Sequence, residues 1–324
     1  MPVAQPLPPM AHRGTLQPGQ KVQVGKYEVV VERFLAEGGY AHVYLVNTPS
    51  PIMGETRHVL KRIACASDDI LREVGMEVQV MKLLRGHPNI VNLHSATSEP
   101  QPDGSSVVYI LMEFCAGGGI IDYMNRRLRE RLTEKEILQI FVDVCEGVAS
   151  MHALKPPLLH RDLKIENILQ SSPTLYKLCD FGSAAAVTPP PSNIAQLRLL
   201  EADLNKHTTL QYRAPEMVDV YQRRPIDTKS DVWALGVLLY KLCYYTTPFE
   251  AHGPVAIMTA SYKIPSYPVY SAELNGLIGK MLQERGSNRP SVFELLDEVH
   301  RMRGTRSKFH YVRPYPSLGC GWLC

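Results

Sequence analysis

No run of about 18 consecutive apolar residues occurs in this 324-residue chain, so no membrane-spanning helix is expected. No two cysteines have the C-x-x-C spacing of a zinc ribbon or a redox pair. The seven cysteines are Cys65, Cys115, Cys145, Cys179, Cys243, Cys320 and Cys324. Several lie inside apolar runs and read as buried free thiols of a reducing compartment. The basic excess is slight, with 35 Lys and Arg against 32 Asp and Glu and a net charge of +3. Nucleic-acid binding would call for a concentrated basic face, and none is expected here. The opening MPVAQPLPPM lacks the basic-then-apolar design of a secretory signal, so a cytoplasmic location is expected.

Apolar residues make up 45% of the chain, ample for a large packed interior. Residues 1–24, rich in Pro, Gly and Gln, read as a disordered leader. From Tyr27 the pattern changes. YEVVVERFLAEGG and YAHVYLV read as strands around a glycine turn, RHVLKRIAC as a third strand and SVVYILMEFC as another. One helix over 68–84 interrupts them, capped by Ser67 or Asp68. After AGGG the spacing of apolar residues becomes helical, and SDVWALGVLLYKLCYY is apolar nearly all round, so it should be buried. The Pro-rich stretch 186–207 reads as an irregular surface loop. The fold expected is α+β, with a β-rich lobe over 27–115, a helical lobe over 116–303 and a cleft between them. A basic and aromatic tail, 304–324, has no assigned role.

The helix 68–84 carries an anomaly. At 100° per residue, Ile70, Met81 and Leu84 fall within about 40° of Glu77 and Val74 at about 60°, so a carboxylate sits in the apolar face. Burying it alone would cost several kcal/mol, so it needs a cationic partner. Lys61, on the preceding strand, is the first candidate partner. Glu73, near the same face, is the alternative carboxylate.

The second cluster is HRDLKIENILQ followed by LCDFGS, which brings Asp162, Asn167 and Asp180 onto two neighbouring loops. Phosphoryl transfer asks for a carboxylate near the attacking hydroxyl and for hard oxygen ligands to Mg²⁺. Either short motif alone is weak; together, in this order, they are specific.

On these motifs residues 27–303 resemble the eukaryotic protein kinases, which implies ATP and Mg²⁺ as cofactors and a bilobal protein kinase fold. The resemblance implies that Lys61 contacts the α- and β-phosphates and pairs with Glu77. It implies that Asp162 accepts the substrate proton, that Lys164 steadies the γ-phosphate, and that Asn167 and Asp180 bind Mg²⁺. Glu216 of RAPE would pair with Arg289, and Asp231 would anchor the catalytic loop. Lys164 and Thr209 match the serine/threonine pattern. Met112 falls at the back of the nucleotide slot, Glu113, Phe114 and Cys115 at its hinge, and Leu169 among the nucleotide contacts. The glycine loop departs from the pattern. Its positions fall on Ala36, Gly38, Ala41 and Val43, so only the middle glycine is kept, with Glu37, Gly39 and Tyr40 completing the turn. Val59 stands where most kinases have alanine and narrows the slot. Arg161 could pair a phosphate on the activation loop.

LAEGGYAHVYLV, FCAGGG and KHTTLQYRAPEMVDVY are similar to the Numb-associated kinase family, and RRPIDTKSDVWALGVLLYKLCYYTTPFE most resembles its fungal actin-regulating members. Adaptor-associated and cyclin-G-associated kinases are the animal relatives. The resemblance implies protein substrates among endocytic adaptor, coat and actin-patch proteins, action at cortical actin patches or endocytic sites, and a monomer. It also implies an extra helix just after the activation segment, in EMVDVYQRRPID. A catalytically weak scaffold of the same fold is the competing expectation, and only the altered glycine loop favours it.

Overall fold

The computed structural model describes residues 15–38 and 41–311. They divide into two compact units, residues 15–78 with 92–114, and residues 79–91 with 115–311.

Alternation of apolar and polar residues builds the first unit. Strand β1 (Lys21–Val24) buries Val22 and Val24 and exposes Lys21 and Gln23. It turns through Gly25, at φ +59°, into β2 (Tyr27–Gly38). A Cβ on Gly25 would meet the Ser95 hydroxyl at 2.5 Å, so both the φ and the space ask for glycine. With β3 (Ala41–Ile52), β4 (Glu55–Cys65), β5 (Leu93–Pro100) and β6 (Ser106–Glu113) these form an antiparallel sheet ordered β1-β2-β3-β4-β6-β5. Val24, Val29, Tyr44, Val46, Leu60 and Leu111 fill its core. Helix α1 (Asp68–Leu83) opens with Asp68 and Asp69, which suit the positive end of the helix dipole. The Ile70 N–H donates to Ser67 Oγ at 3.4 Å, so of the two expected caps it is Ser67 that accepts.

This corrects the leader expected to run to residue 24. Lys-Val-Gln-Val is a strand pattern that the surrounding Pro and Gln hid, and Leu16 is also buried, its N–H donating to the Tyr44 hydroxyl at 3.0 Å. Residues 1–14 of that leader lie outside the described residues.

Helices build the second unit. Short β7 (Gly118–Gly119) leads into α2 (Ile120–Asn125). Helix α3 (Glu134–His152) starts with a capping box between Thr133 and Glu136. Strands β8 (Leu158–Leu159), β9 (Ile168–Ser172), β10 (Leu175–Leu178) and β11 (Ala185–Ala186) frame the loops that hold Asp162 and Asp180. β9 pairs with β10 and β7, and β11 with β8. Helix α6 (Thr228–Tyr244) is buried on nearly every side, as its all-round apolar sequence predicts. It packs on α3 and on α8 (Ala272–Met281), while α9 (Val292–Arg303), with its own Ser291–Glu294 capping box, packs on α3.

Between β11 and α6 the expectations need a second correction. Residues 194–207 are a helix, α4 (Ile194–His207), where a loop is expected. The three prolines end at Pro191, and Asn193 then caps the helix by accepting from the Gln196 N–H at 2.9 Å. Leu197 and Leu204, two turns apart, are its buried residues. The extra helix therefore precedes RAPE. In EMVDVYQRRPID there is only the single turn α5 (Pro215–Val218) and a 3₁₀ turn over Val220–Gln222. Helix α7 (Gly253–Met258) completes the set.

Candidate active site

In the first unit, Lys61 lies in the middle of β4, opposite Val43 of β3 and Ile110 of β6. Its Nζ is 2.7 Å from Glu77 Oε1. Glu77 is 6% exposed, so the carboxylate in the apolar face of α1 is matched by the cation the sequence nominated. Glu77, the first of the two candidate carboxylates, is thus on Lys61.

The glycine-loop positions occupy the hairpin of β2 and β3. Ala36 sits opposite Val43, Glu37 opposite His42 and Gly38 opposite Ala41. A Cβ on Gly38 would meet nothing within 4 Å, so this strand end has open space beside it. Gly39 and Tyr40 lie outside the described residues. Val59 and Met112 are cross-strand neighbours of β4 and β6. Glu113 ends β6 and is tied twice to Asn92, its N–H donating to the Asn92 carbonyl at 2.9 Å and its Oε2 accepting from the Asn92 N–H at 3.1 Å. Phe114 is the last residue of this unit, and Cys115 is the first of the segment that follows in the second.

In the second unit, the catalytic-loop candidates are brought together around one carboxylate. Asp162 Oδ1 accepts from the Thr209 hydroxyl at 2.7 Å and from its N–H at 3.1 Å. Asp162 Oδ2 accepts from Lys164 Nζ at 2.5 Å. Lys164 Nζ also donates to Thr209 Oγ1 at 3.1 Å, closing a three-residue ring of bonds. Asn167 donates Nδ2 to the Asp162 carbonyl at 2.9 Å. That bond fixes the amide and turns its oxygen into the acceptor left for a cation. Leu169 follows on β9, opposite Lys177 of β10. Asp180 is exposed and has φ +64°, a strained setting for an aspartate next to the buried Phe181.

The loop carrying Asp162 hangs from Asp231. That carboxylate accepts from the His160 N–H at 2.8 Å, the Arg161 N–H at 2.9 Å and His152 Nε2 at 2.9 Å. Burial works against its charge, yet the His152 hydrogen bond and the neighbouring histidines and backbone donors hold it below the ordinary carboxylate range. Burial in turn pushes the His160 pKa down, against the opposing pull of Asp231, Asp180 and Asp162. Behind RAPE, Glu216 and Arg289 form the expected pair. It is bidentate and buried, at 2.7 and 2.9 Å, with Ser230 Oγ donating to Glu216 as well.

Among the described residues, no group of three or more His, Cys, Asp or Glu could hold a metal ion alone. Asn167 and Asp180 supply hard oxygens, and Mg²⁺ is a cation that takes few protein ligands and completes its shell with phosphate and water. The donor set fits that ion.

Sequence reasoning missed Asp203. It lies on α4, in the stretch read as a loop, and its Oδ2 accepts from Arg161 Nη1 at 2.6 Å. Arg161 Nε donates to the Ser183 carbonyl, also at 2.6 Å. His207, four residues on, bonds the other Asp203 oxygen at 2.8 Å. The Asp203–His207 spacing on one helix face was the available signal, legible only once 194–207 is taken as a helix.

Comparison with known proteins adds the following. Residues 29–300 match the family model described as protein kinase domain. The chain is 50% identical over 291 residues to serine/threonine-protein kinase ppk30 of Schizosaccharomyces pombe, covering 90% of this chain and 30% of that protein. It is 46% identical over 295 residues to actin-regulating kinase 1 of Saccharomyces cerevisiae, covering 90% and 46%. Actin-regulating kinase PRK1 of the same yeast is 45% identical over 290 residues, covering 89% and 36%. The chain thus matches less than half the length of each of these relatives.

Proposed function

The chain belongs to the protein kinase family, and from that premise we propose that it transfers the γ-phosphoryl group of ATP to serine and threonine hydroxyls of proteins. The observation that carries the reading is the ring of Asp162, Lys164 and Thr209. A carboxylate held on both oxygens by a cation and a hydroxyl is fixed in direction, and it can still receive a proton on a remaining lone pair.

Bound Mg²⁺ and ATP supply the phosphoryl group and neutralise its charge. Asp162 orients the substrate hydroxyl and takes its proton as the new oxygen–phosphorus bond forms and the bond to the ADP oxygen breaks. Lys164, bridging Asp162 and Thr209, is positioned to steady charge on the transferred group. Asn167 and Asp180 would hold the metal. Lys61, held in place by Glu77, would take the α- and β-phosphates. Ala36, Glu37, Gly38, Ala41 and Val43 would cover the phosphates. Val59, Met112, Glu113, Phe114, Cys115 and Leu169 would line the base.

The test is transfer from radiolabelled ATP to a general protein substrate, with Asp162→Asn as the control. Equal incorporation by both proteins would favour the scaffold reading. Two of the relatives are named for regulating actin, and we extend that to this chain: its substrates are sought among actin-patch and endocytic coat proteins, on which it acts as a cytoplasmic monomer. No helix among the described residues is long and apolar enough to cross a membrane. A peptide-library screen ranks the preferred hydroxyl and its neighbours.

A further inference from the structure

The kinase-domain match ends at residue 300, and the described residues continue to 311. After α9 the backbone turns at Gly304, φ +64°, and folds back along α3. Phe309 places its ring 4.7 Å from the ring of His87, in the turn that follows α1. Tyr311 lies 5.9 Å from Phe293 and 6.5 Å from His87, ring to ring.

The Tyr311 hydroxyl is the centre of a half-buried polar junction. It lies 2.6 Å from Glu146 Oε2 on α3, 3.1 Å from the Glu146 carbonyl and 3.1 Å from His87 Nε2. One arrangement of protons satisfies the side-chain contacts. The Asn89 N–H donates to His87 Nδ1 at 3.2 Å, so Nε2 carries the ring proton. His87 Nε2 then donates to the Tyr311 oxygen, and the Tyr311 proton goes to the Glu146 carboxylate. Glu146 is 5% exposed, and its other oxygen is 3.2 Å from His300 Nε2 of α9.

The turn held by this junction leads to the metal-ligand candidates. Asn89 donates Nδ2 to the Tyr176 carbonyl at 3.0 Å, and its own carbonyl accepts from the Leu178 N–H at 2.9 Å. Val91 N–H donates to the Leu178 carbonyl at 2.9 Å. Strand β10 is thus clasped just before Cys179 and Asp180, and the Cys179 N–H donates to the Asn167 carbonyl at 3.0 Å. The fit is tight: a Cβ at Gly147 of α3 would lie 3.0 Å from the Asn89 carbonyl and 2.8 Å from Leu178 Cδ1.

We propose that Tyr311 is a positioning residue for the Asn167–Asp180 pair, acting through His87 and Asn89, so that the described segment after α9 is a working part of the catalytic unit. The assignment of Asn167 and Asp180 rests on the kinase reading above; the strap itself does not.

The test uses the full chain with Tyr311→Phe, which keeps the ring and removes the hydroxyl, and Tyr311→Ala. Hydrogen exchange is followed by mass spectrometry over residues 86–91 and 176–182, with α8 as reference. Exchange in both windows should rise about tenfold in Tyr311→Phe while α8 is unchanged. The Mg²⁺ concentration for half-maximal transfer should rise several-fold, with a smaller change in kcat at saturating Mg²⁺. Unchanged exchange in the two windows overturns the proposal. So does a lowered melting temperature with unaltered Mg²⁺ dependence, which is the mark of a purely structural contact. Should Tyr311→Ala fail to fold, Tyr311→Phe decides. An inactive wild-type protein would sink the kinase reading, and the exchange arm would still decide whether the strap holds the loop.

Discussion

Arg161 and Asp203 form an ion pair of 2.6 Å that ties the residue preceding Asp162 to helix α4. The arginine that the sequence suggests could await a phosphate is already engaged by a carboxylate of the same chain. Its Nε is tied to the Ser183 carbonyl, and its backbone, at φ +65°, hangs from Asp231. Helix α4 therefore supplies a carboxylate in the place where a phosphate could pair Arg161.

Two results follow from that pair. Phosphatase treatment should leave most of the transfer activity of the wild-type protein. Asp203→Ala should lower kcat about tenfold, the low end for a charge-assisted bond because Asp203 is partly open to solvent. Asp203→Glu should recover part of the loss. Loss of wild-type activity on phosphatase treatment would refute the idea.

Lys61→Met should reduce turnover by several orders of magnitude, since on the proposed reading it removes a charge from the nucleotide phosphates. It should also destabilise the fold by about 3 kcal/mol, because Glu77 would stay buried without its ammonium. Adding Glu77→Gln should restore the stability and leave the activity lost. Urea unfolding beside the transfer assay separates the two effects. A single mutant as stable as wild type would show that the carboxylate finds another partner.

The contrast between these two ion pairs indicates what sequence can carry. Lys61 and Glu77 were legible because helical periodicity put a carboxylate where only a paired one could stay, on the element next to a strand lysine. The contact of Asp162 with Asn167 was legible because the order of their motif is specific, and that of Glu216 with Arg289 for the same reason. Asp203 and Tyr311 were not. Asp203 sits behind three prolines that made a helix look like a loop, and its partner is 42 residues away. Tyr311 reaches Glu146 across 165 residues, with no period or motif to mark it. Strand β1 was lost because a four-residue alternation is weaker than the composition around it.

Glu216 and Arg289 give a prediction about stability alone. Arg289→Lys keeps the charge but cannot make two parallel bonds to Glu216, nor reach the Gln283 and Glu284 carbonyls that Arg289 also meets. A loss of about 3 kcal/mol is expected from this buried site, read as a lower urea midpoint. An unchanged midpoint would mean that a point charge suffices.

Asp143 on α3 sets a pH dependence opposite to that of most carboxylates. Burial pushes its pKa up to about 6, against the opposing pull of the Tyr176 N–H, Gln139, Arg303 and Asn89. The native state therefore holds a proton that the unfolded chain has released between about pH 4 and 6. With more protons bound in the native state, stability falls as pH rises through that window, and above it the full cost is present. The shift of about 2 units corresponds to roughly 3 kcal/mol. Asp143→Asn keeps an oxygen for the Tyr176 N–H, which lies 2.9 Å away, and carries no charge to bury. The mutant should match the wild type below about pH 4 and exceed it in melting temperature by pH 7, the gap opening as pH rises. Parallel melting curves for the two proteins across that range would mean that Asp143 is ionised in the folded protein throughout.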